Sequence, residues 1–104
     1  MNKEKHNAIL IDPKDNVAVA IDNLKKGQMA RVKGDNYFDE ITLAQDIPFG
    51  HKLALGFIQE DEEIIKYGEV IGAAMQNIEK GEHVHEHNII GIRGKREAKQ
   101  GKEF

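Results

Sequence analysis

Histidines are the residues of this 104-residue sequence best suited to bind a metal ion or to transfer a proton. Three of them, His83, His85 and His87, alternate along one segment, and in an extended strand their side chains share a face. His83 and His85 would lie about 7 Å apart, close enough to share one metal ion. His87 would lie about 13 Å from His83 unless the chain turns at Glu86. The spacing predicts a two-histidine metal site or, alternatively, a polar strand face that binds no metal.

Two other segments combine a titratable side chain with a lysine. His51 precedes Lys52 at the start of an apolar stretch, and such a pair suits a carboxylate ligand. Lys66 and Tyr67 could hold an acid or transfer a proton if they were desolvated. The alternatives are a helix stop followed by two exposed polar residues at the first segment and, at the second, a strand with a solvated lysine and a packed tyrosine.

Composition excludes several kinds of chemistry for this chain. It has no cysteine and no serine, which rules out thiolate metal sites, disulfides and serine or cysteine nucleophiles. The net charge of −3 argues against nucleic acid as a partner. No apolar run is long enough for a membrane span or a signal peptide, so we expect a cytoplasmic protein without a membrane partner. No motif indicates an organic cofactor.

The composition of the chain predicts that β-strands position these side chains. Thirteen Ile and five Val outnumber five Leu, and β-branched side chains favour a pleated surface. We expect a mainly β fold of short bent strands with one or two short helical turns, the best candidate being residues 39–46. No internal repeat is evident. The expected strands are residues 16–21, 28–33 and 51–58, fragments within 64–72, and 82–87, with a turn at 34–36.

Length and charge predict one domain and a tail. A chain of this length builds a single core, which we place in residues 1–92. Residues 93–104 carry five Lys or Arg against two Glu, a net charge of +3, and show no apolar period. We expect them to form a mobile basic tail or a linker.

Four segments, in this order and spacing, resemble one family. They are residues 15–20 (DNVAVA), 47–52 (IPFGHK), 65–72 (IKYGEVIG) and 81–88 (GEHVHEHN). Together they are similar to the amino-terminal SAF domain of the altronate and galactarate dehydratases, which also occurs as the small subunit of sulfolactate sulfo-lyases. The resemblance covers about residues 8–92 and implies a compact β-clip fold.

The resemblance also implies a chemistry. These families eliminate water or sulfite from a sugar acid or a sulfonated hydroxy acid, such as altronate, galactarate or sulfolactate, with the help of a divalent metal, iron or manganese. Elimination needs a base beside the carboxylate and an acid at the leaving group. The roles implied by position are His83 and His85 as metal ligands, His51 and Lys66 as catalytic groups, and Lys52, Asn16 and Asn88 as contacts to substrate. His51 precedes another expected strand, so it could converge with His83 and His85 if the two strands are neighbours.

The chain departs from the dehydratases in ending where their much larger following domain begins. We therefore expect a small subunit or amino-terminal domain that needs a separate large dehydratase-like subunit and is inactive alone. It could also form a homo-oligomer. The alternative is a β-clip module that binds a carboxylated sugar or a protein without catalysing a reaction.

Overall fold

The computed structural model describes residues 5–91, which form nine β-strands and no helix in that range. The mainly β prediction is therefore confirmed. Within those residues no helix exists that could cross a membrane. The strands are β1 (Ala8–Ile9), β2 (Val17–Ala20), β3 (Met29–Gly34), β4 (Tyr37–Thr42), β5 (Lys52–Ala54), β6 (Glu63–Lys66), β7 (Glu69–Ala74), β8 (His83–Val84) and β9 (Ile89–Gly91).

The strands form two sheets. The larger has the order β4-β3-β1-β2-β5-β8, and the smaller has the order β6-β7-β9. β1 runs parallel to β3, and the other pairs are antiparallel. β5 lies between two groups of buried apolar side chains, because Leu53 packs into one and Ala54 into the other. This strand holds the residue just before it, His51, at the edge of the packed interior.

The hairpin of β3 and β4 corrects one sequence prediction. The expected turn at 34–36 joins two strands that pair along their whole length, from Met29 opposite Thr42 to Gly34 opposite Tyr37. The helical turn expected at residues 39–46 is therefore wrong. The tight turn fixes the register, and Ile41 then points into the core while its neighbours are at least partly exposed.

β4 is the outer strand of the larger sheet, and charged side chains accompany it. Arg31 on β3 lies 3.6 Å from Glu40, and Lys80 lies 4.0 Å from Asp39. Phe38, Glu40 and Thr42 are exposed on this strand. These ion pairs are solvent-exposed, so each contributes little to stability.

Four turns of the same geometry recur within residues 5–91, at 21–27, 44–50, 55–61 and 75–81. We call them the bridged turns, because Leu24 pairs with Ile47 and Ile58 pairs with Ile78 through isolated backbone bridges. Each ends in a residue with positive φ: Gly27 (87°), Gly50 (83°), Asp61 (72°) and Gly81 (85°). The prediction of no internal repeat is therefore wrong at the scale of these turns, because hydrogen bonding, a positive φ angle and an aliphatic residue at the bridge position recur in all four.

The remaining strand predictions are confirmed in part. The segments expected at 16–21 and 28–33 are β2 and β3, and the fragments in 64–72 become β6 and β7. The strand expected at 51–58 is shorter, because the chain enters a bridged turn directly after β5. The tail predicted at residues 93–104 lies outside the described residues.

Candidate metal centre

Three histidines from two distant segments come together beside β5 and β8. These strands are antiparallel neighbours with Lys52 opposite Val84, so His51 is brought alongside the end of β8. Nδ1 of His51 lies 2.8 Å from Nε2 of His83, and the rings of His51 and His85 stack with centroids 3.8 Å apart. One ring nitrogen from each of the three lies within 4.8 Å of the other two. The pairing of two strands thus builds a cluster that neither segment could form alone.

A turn anchored by Asn88 shapes the second half of the cluster. The backbone N–H of His85 donates to Oδ1 of Asn88 over 2.9 Å, and Nδ2 of Asn88 donates to the His83 carbonyl over 2.7 Å. Asn88 is only 3% exposed. The strand expected at 82–87 is therefore too long, because β8 ends at Val84 and the chain turns after it.

The turn moves His87 as well. Its ring centroid lies 4.9 Å from that of His83, tilted by 37°, although His87 itself is exposed. The condition stated from the sequence, a turn at Glu86, is met. Even so, His51 and not His87 is the third member of the cluster within the described residues.

Gln45 also contributes and was not identified from the sequence. Its Oε1 accepts a hydrogen bond of 2.9 Å from the backbone N–H of His83. Gln45 lies in the bridged turn that directly precedes His51, so one turn both holds the start of β8 and leads into a histidine of the cluster. No motif signal could have indicated this contact, because a lone glutamine in a loop has no distinctive spacing.

Burial and neighbouring positive groups keep two of these imidazoles neutral. Desolvation, followed by the charges of His87 and His51, lowers the pKa of His83 from its ordinary value of 6.5 to about 4. Desolvation and then His51 also lower the pKa of His85. A metal ion would therefore meet nitrogens that need not lose a proton first at neutral pH. With ordinary imidazoles, protons would compete with the metal below about pH 6.5. For these two residues the competition begins at a lower pH.

The residues present fit a divalent metal. Nδ1 of His85 is buried and has no hydrogen-bond partner among the described residues, which is costly unless a ligand occupies it. Two imidazole nitrogens bound to one ion are at most about 4.2 Å apart, twice the usual bond length to zinc. The rings would rotate from their stacked arrangement to reach that spacing. Three nitrogens that leave a coordination position open are typical of catalytic metal sites.

One lysine, Lys52, lies near the cluster, and a second, Lys66, lies near Lys52. Lys52 is partly buried, and desolvation together with the charge of Lys66 lowers its pKa. Nζ of Lys66 lies 5.0 Å from the centroid of the Tyr67 ring, within the range of a cation–π contact. Within residues 5–91 neither lysine has a carboxylate within 4 Å. Among these residues, no ion pair competes with an anionic ligand for either amino group.

Asn16 has a structural place. Its Nδ2 donates to the Glu63 carbonyl and its Oδ1 accepts from the Ile65 N–H, each over 2.8 Å. Both polar atoms thus bond to β6, and these contacts give no support to the predicted contact with substrate. The buried carboxylate of Asp15 accepts hydrogen bonds from the N–H groups of Tyr67 and Gly68 and fixes the turn after β6. Asn88 likewise uses both side-chain polar atoms for hydrogen bonds to the backbone.

The stability of the metal-free chain is expected to fall as the pH drops from about 6.5 to 4. In this window His83 takes up a proton in the unfolded chain but not in the folded one, so acid favours unfolding. Thermal unfolding followed by circular dichroism at several pH values measures the effect. Carboxylates titrate in the same range, so the comparison is with His83→Gln, whose stability should depend less on pH. Equal pH slopes for the two proteins would contradict the lowered pKa.

Comparison with known proteins identifies a family that this chain matches. Residues 6–91 match the family described as the altronate/galactarate dehydratase SAF domain. The chain is 42% identical over 80 residues to altronate dehydratase of Bacillus subtilis, a match that covers 77% of this chain and 15% of that enzyme. It is 38% identical over 82 residues to galactarate dehydratase of Escherichia coli, covering 79% and 15%.

A second kind of relative is much shorter. The chain is 40% identical over 73 residues to the (2R)-sulfolactate sulfo-lyase subunit alpha of Chromohalobacter salexigens, which covers 68% of this chain and 78% of that subunit. The sequence therefore corresponds to a small segment of the dehydratases and to most of a separate lyase subunit.

Proposed function

Because this chain belongs to the altronate/galactarate dehydratase SAF domain family, we propose that it is a small subunit or amino-terminal domain of a metal-assisted lyase. The reaction is elimination of water or sulfite from a sugar acid or a sulfonated hydroxy acid in the cytoplasm. The substrate classes follow from the relatives, which are named for altronate, galactarate and sulfolactate.

The convergence of three imidazoles is the observation that carries the proposal. His51, His83 and His85 would hold a divalent ion, iron or manganese, through one nitrogen each. When bound, such an ion supplies a Lewis acid for the departing oxygen or sulfur group. His51, expected from the sequence as a catalytic group, thereby becomes the third ligand.

The lysines take the other end of the substrate. Lys66, held beside the Tyr67 ring, pairs with the substrate carboxylate. Lys52, whose pKa is lowered by desolvation and by the charge of Lys66, can in its neutral form accept the proton next to that carboxylate. This exchanges the two roles expected from the sequence. The exchange rests on the environments of the two amino groups.

The partner in this proposal is a separate large subunit. The matched segment makes up 15% of the altronate dehydratase but 78% of the sulfo-lyase alpha subunit. The remaining catalytic groups would therefore come from another chain or domain. Phe49 is 66% exposed on the turn that carries His51. An exposed aromatic beside the metal ligands offers an apolar anchor for that subunit.

Reconstitution tests the proposal. The 104-residue chain is combined with the large lyase homologue from the same genome, and product formation from altronate, galactarate and sulfolactate is followed with Mn(II) or Fe(II). We expect no measurable turnover by the chain alone. Adding the partner should raise the rate of product formation at least about 100-fold, because an elimination site needs groups held from several directions.

Two variants define the controls for reconstitution. The His83→Ala/His85→Ala variant should bind the partner without restoring turnover, whereas Gln59→Ala, on an exposed turn, should behave like the original chain. Equal turnover with the double variant would contradict a metal role for these histidines. A chain that binds a sugar acid but adds nothing to any large subunit would favour the non-catalytic module.

A further inference from the structure

Three of the four bridged turns share a capping hydrogen bond. In those three, the residue after the positive-φ position is Gln or Glu, and its Oε1 accepts from the backbone N–H three residues earlier. This bond satisfies a donor that the tight turn leaves without a backbone partner. The pairs are Lys25 with Gln28 (3.0 Å), Gln59 with Glu62 (2.8 Å) and Glu79 with Glu82 (2.9 Å).

The turn at 44–50 differs in its side chains and not in its backbone. His51 occupies the capping position, and its N–H donates to the Pro48 carbonyl over 3.0 Å. The corresponding backbone bonds of the other three turns measure 2.9 to 3.0 Å. The position that elsewhere supplies the capped N–H is Pro48, which has no N–H to donate. The side chain of His51 therefore has no donor to cap.

We infer that Pro48 is a positioning residue for the metal centre, because the missing N–H releases His51 from the capping role and leaves its Nδ1 free to face His83. This inference rests on the proposed function of the cluster. The observed contact is consistent with it, since Nδ1 of His51 lies 2.8 Å from Nε2 of His83. Any other residue at position 48 restores an N–H directed at the capping position, where a neutral imidazole nitrogen is an acceptor.

The test begins with Pro48→Ala, which keeps all three histidines. The backbone N–H that this change introduces competes with the metal for Nδ1 of His51. Because one neutral hydrogen bond of ordinary strength must then be broken, we expect Zn(II) to bind about 2- to 10-fold more weakly. Calorimetric titration measures this change. Gln59→Ala is the matched control, because it changes the same position of another turn and keeps its N–H. It should bind Zn(II) like the original chain.

Nuclear magnetic resonance separates this inference from the metal proposal. In metal-free Pro48→Ala we expect the new amide at position 48 to be protected from exchange and the χ1 angle of His51 to change. If no variant binds Zn(II), the metal proposal fails while this readout still decides the role of Pro48. A freely exchanging amide at position 48, with His51 in its original rotamer, would overturn the inference.

A second variant guards against loss of folding. The double change Pro48→Glu/His51→Glu reproduces the donor and cap residues of the turn at 75–81, which are Glu79 and Glu82. It should fold with a melting temperature at least equal to that of the original chain and should lose Zn(II) binding. An unfolded double variant would show that the four turns are not equivalent and would overturn the inference.

Discussion

Replacing His83 and His85 together by alanine is expected to weaken Zn(II) binding by at least about 100-fold. Loss of an outer-shell partner alone typically costs about 10- to 100-fold in metal affinity, and this variant removes two direct ligands. His51 remains, but one imidazole does not hold a divalent ion tightly. Calorimetric titration of Zn(II), Mn(II) and Fe(II) at about pH 7.5, above the ordinary pKa of imidazole, measures the affinities.

His87→Ala is the control for this experiment. His87 lies against His83 in the same turn but outside the group of three, so its removal should change the affinity only slightly. Circular dichroism verifies that both variants retain the β fold. If the double variant and the original chain bind all three metals equally, the cluster is not a metal site in this chain.

Asn88→Ala is expected to destabilise the domain by about 2 to 6 kcal/mol and to weaken metal binding with it. The substitution leaves the N–H of His85 and the carbonyl of His83 without their partners, and each unpaired buried group costs about 1 to 3 kcal/mol. The turn that orients both ligands is then no longer held. Thermal unfolding should show a melting temperature lower by about 10 °C or more.

Asn77→Ala is a matched comparison, because it removes an asparagine with one capping bond of 2.8 Å to the Glu60 N–H on an exposed turn. We expect about 1 kcal/mol of destabilisation and unchanged metal affinity, since water replaces the lost partner. Equal losses of stability for the two variants would contradict the structural role assigned to Asn88.

The sequence predicted the local parts of the fold and not the long-range ones. β2 and β3 were predictable from their apolar and β-branched residues, and the turn at 34–36 from its Gly and Asn. β4 was not, because residues 39–46 contain acidic side chains and a short apolar pattern that suits helix or strand equally. Its pairing with β3, which decides the matter, is a tertiary contact.

The candidate site shows the same division. The alternation of His83 and His85 was visible in the sequence, and His51 was predicted to join them on condition that the two strands are neighbours. β5 and β8 do pair, and this meets the condition. Gln45 and Pro48 could not be found, because Gln45 acts through a contact across 38 residues, and the meaning of Pro48 emerges only by comparison with the three other bridged turns.

The charged outer strand has a consequence for self-association. An exposed strand edge is a template for pairing with an identical edge, which leads to continuous sheets and aggregation. If two copies of β4 met in antiparallel register about their centre, Asp39 of one would face Glu40 of the other, and facing like charges destabilise a strand pair. Growth of the sheet through β4 in this register is thereby opposed, so the acidic pair that gives this strand its charge also protects its edge from self-pairing.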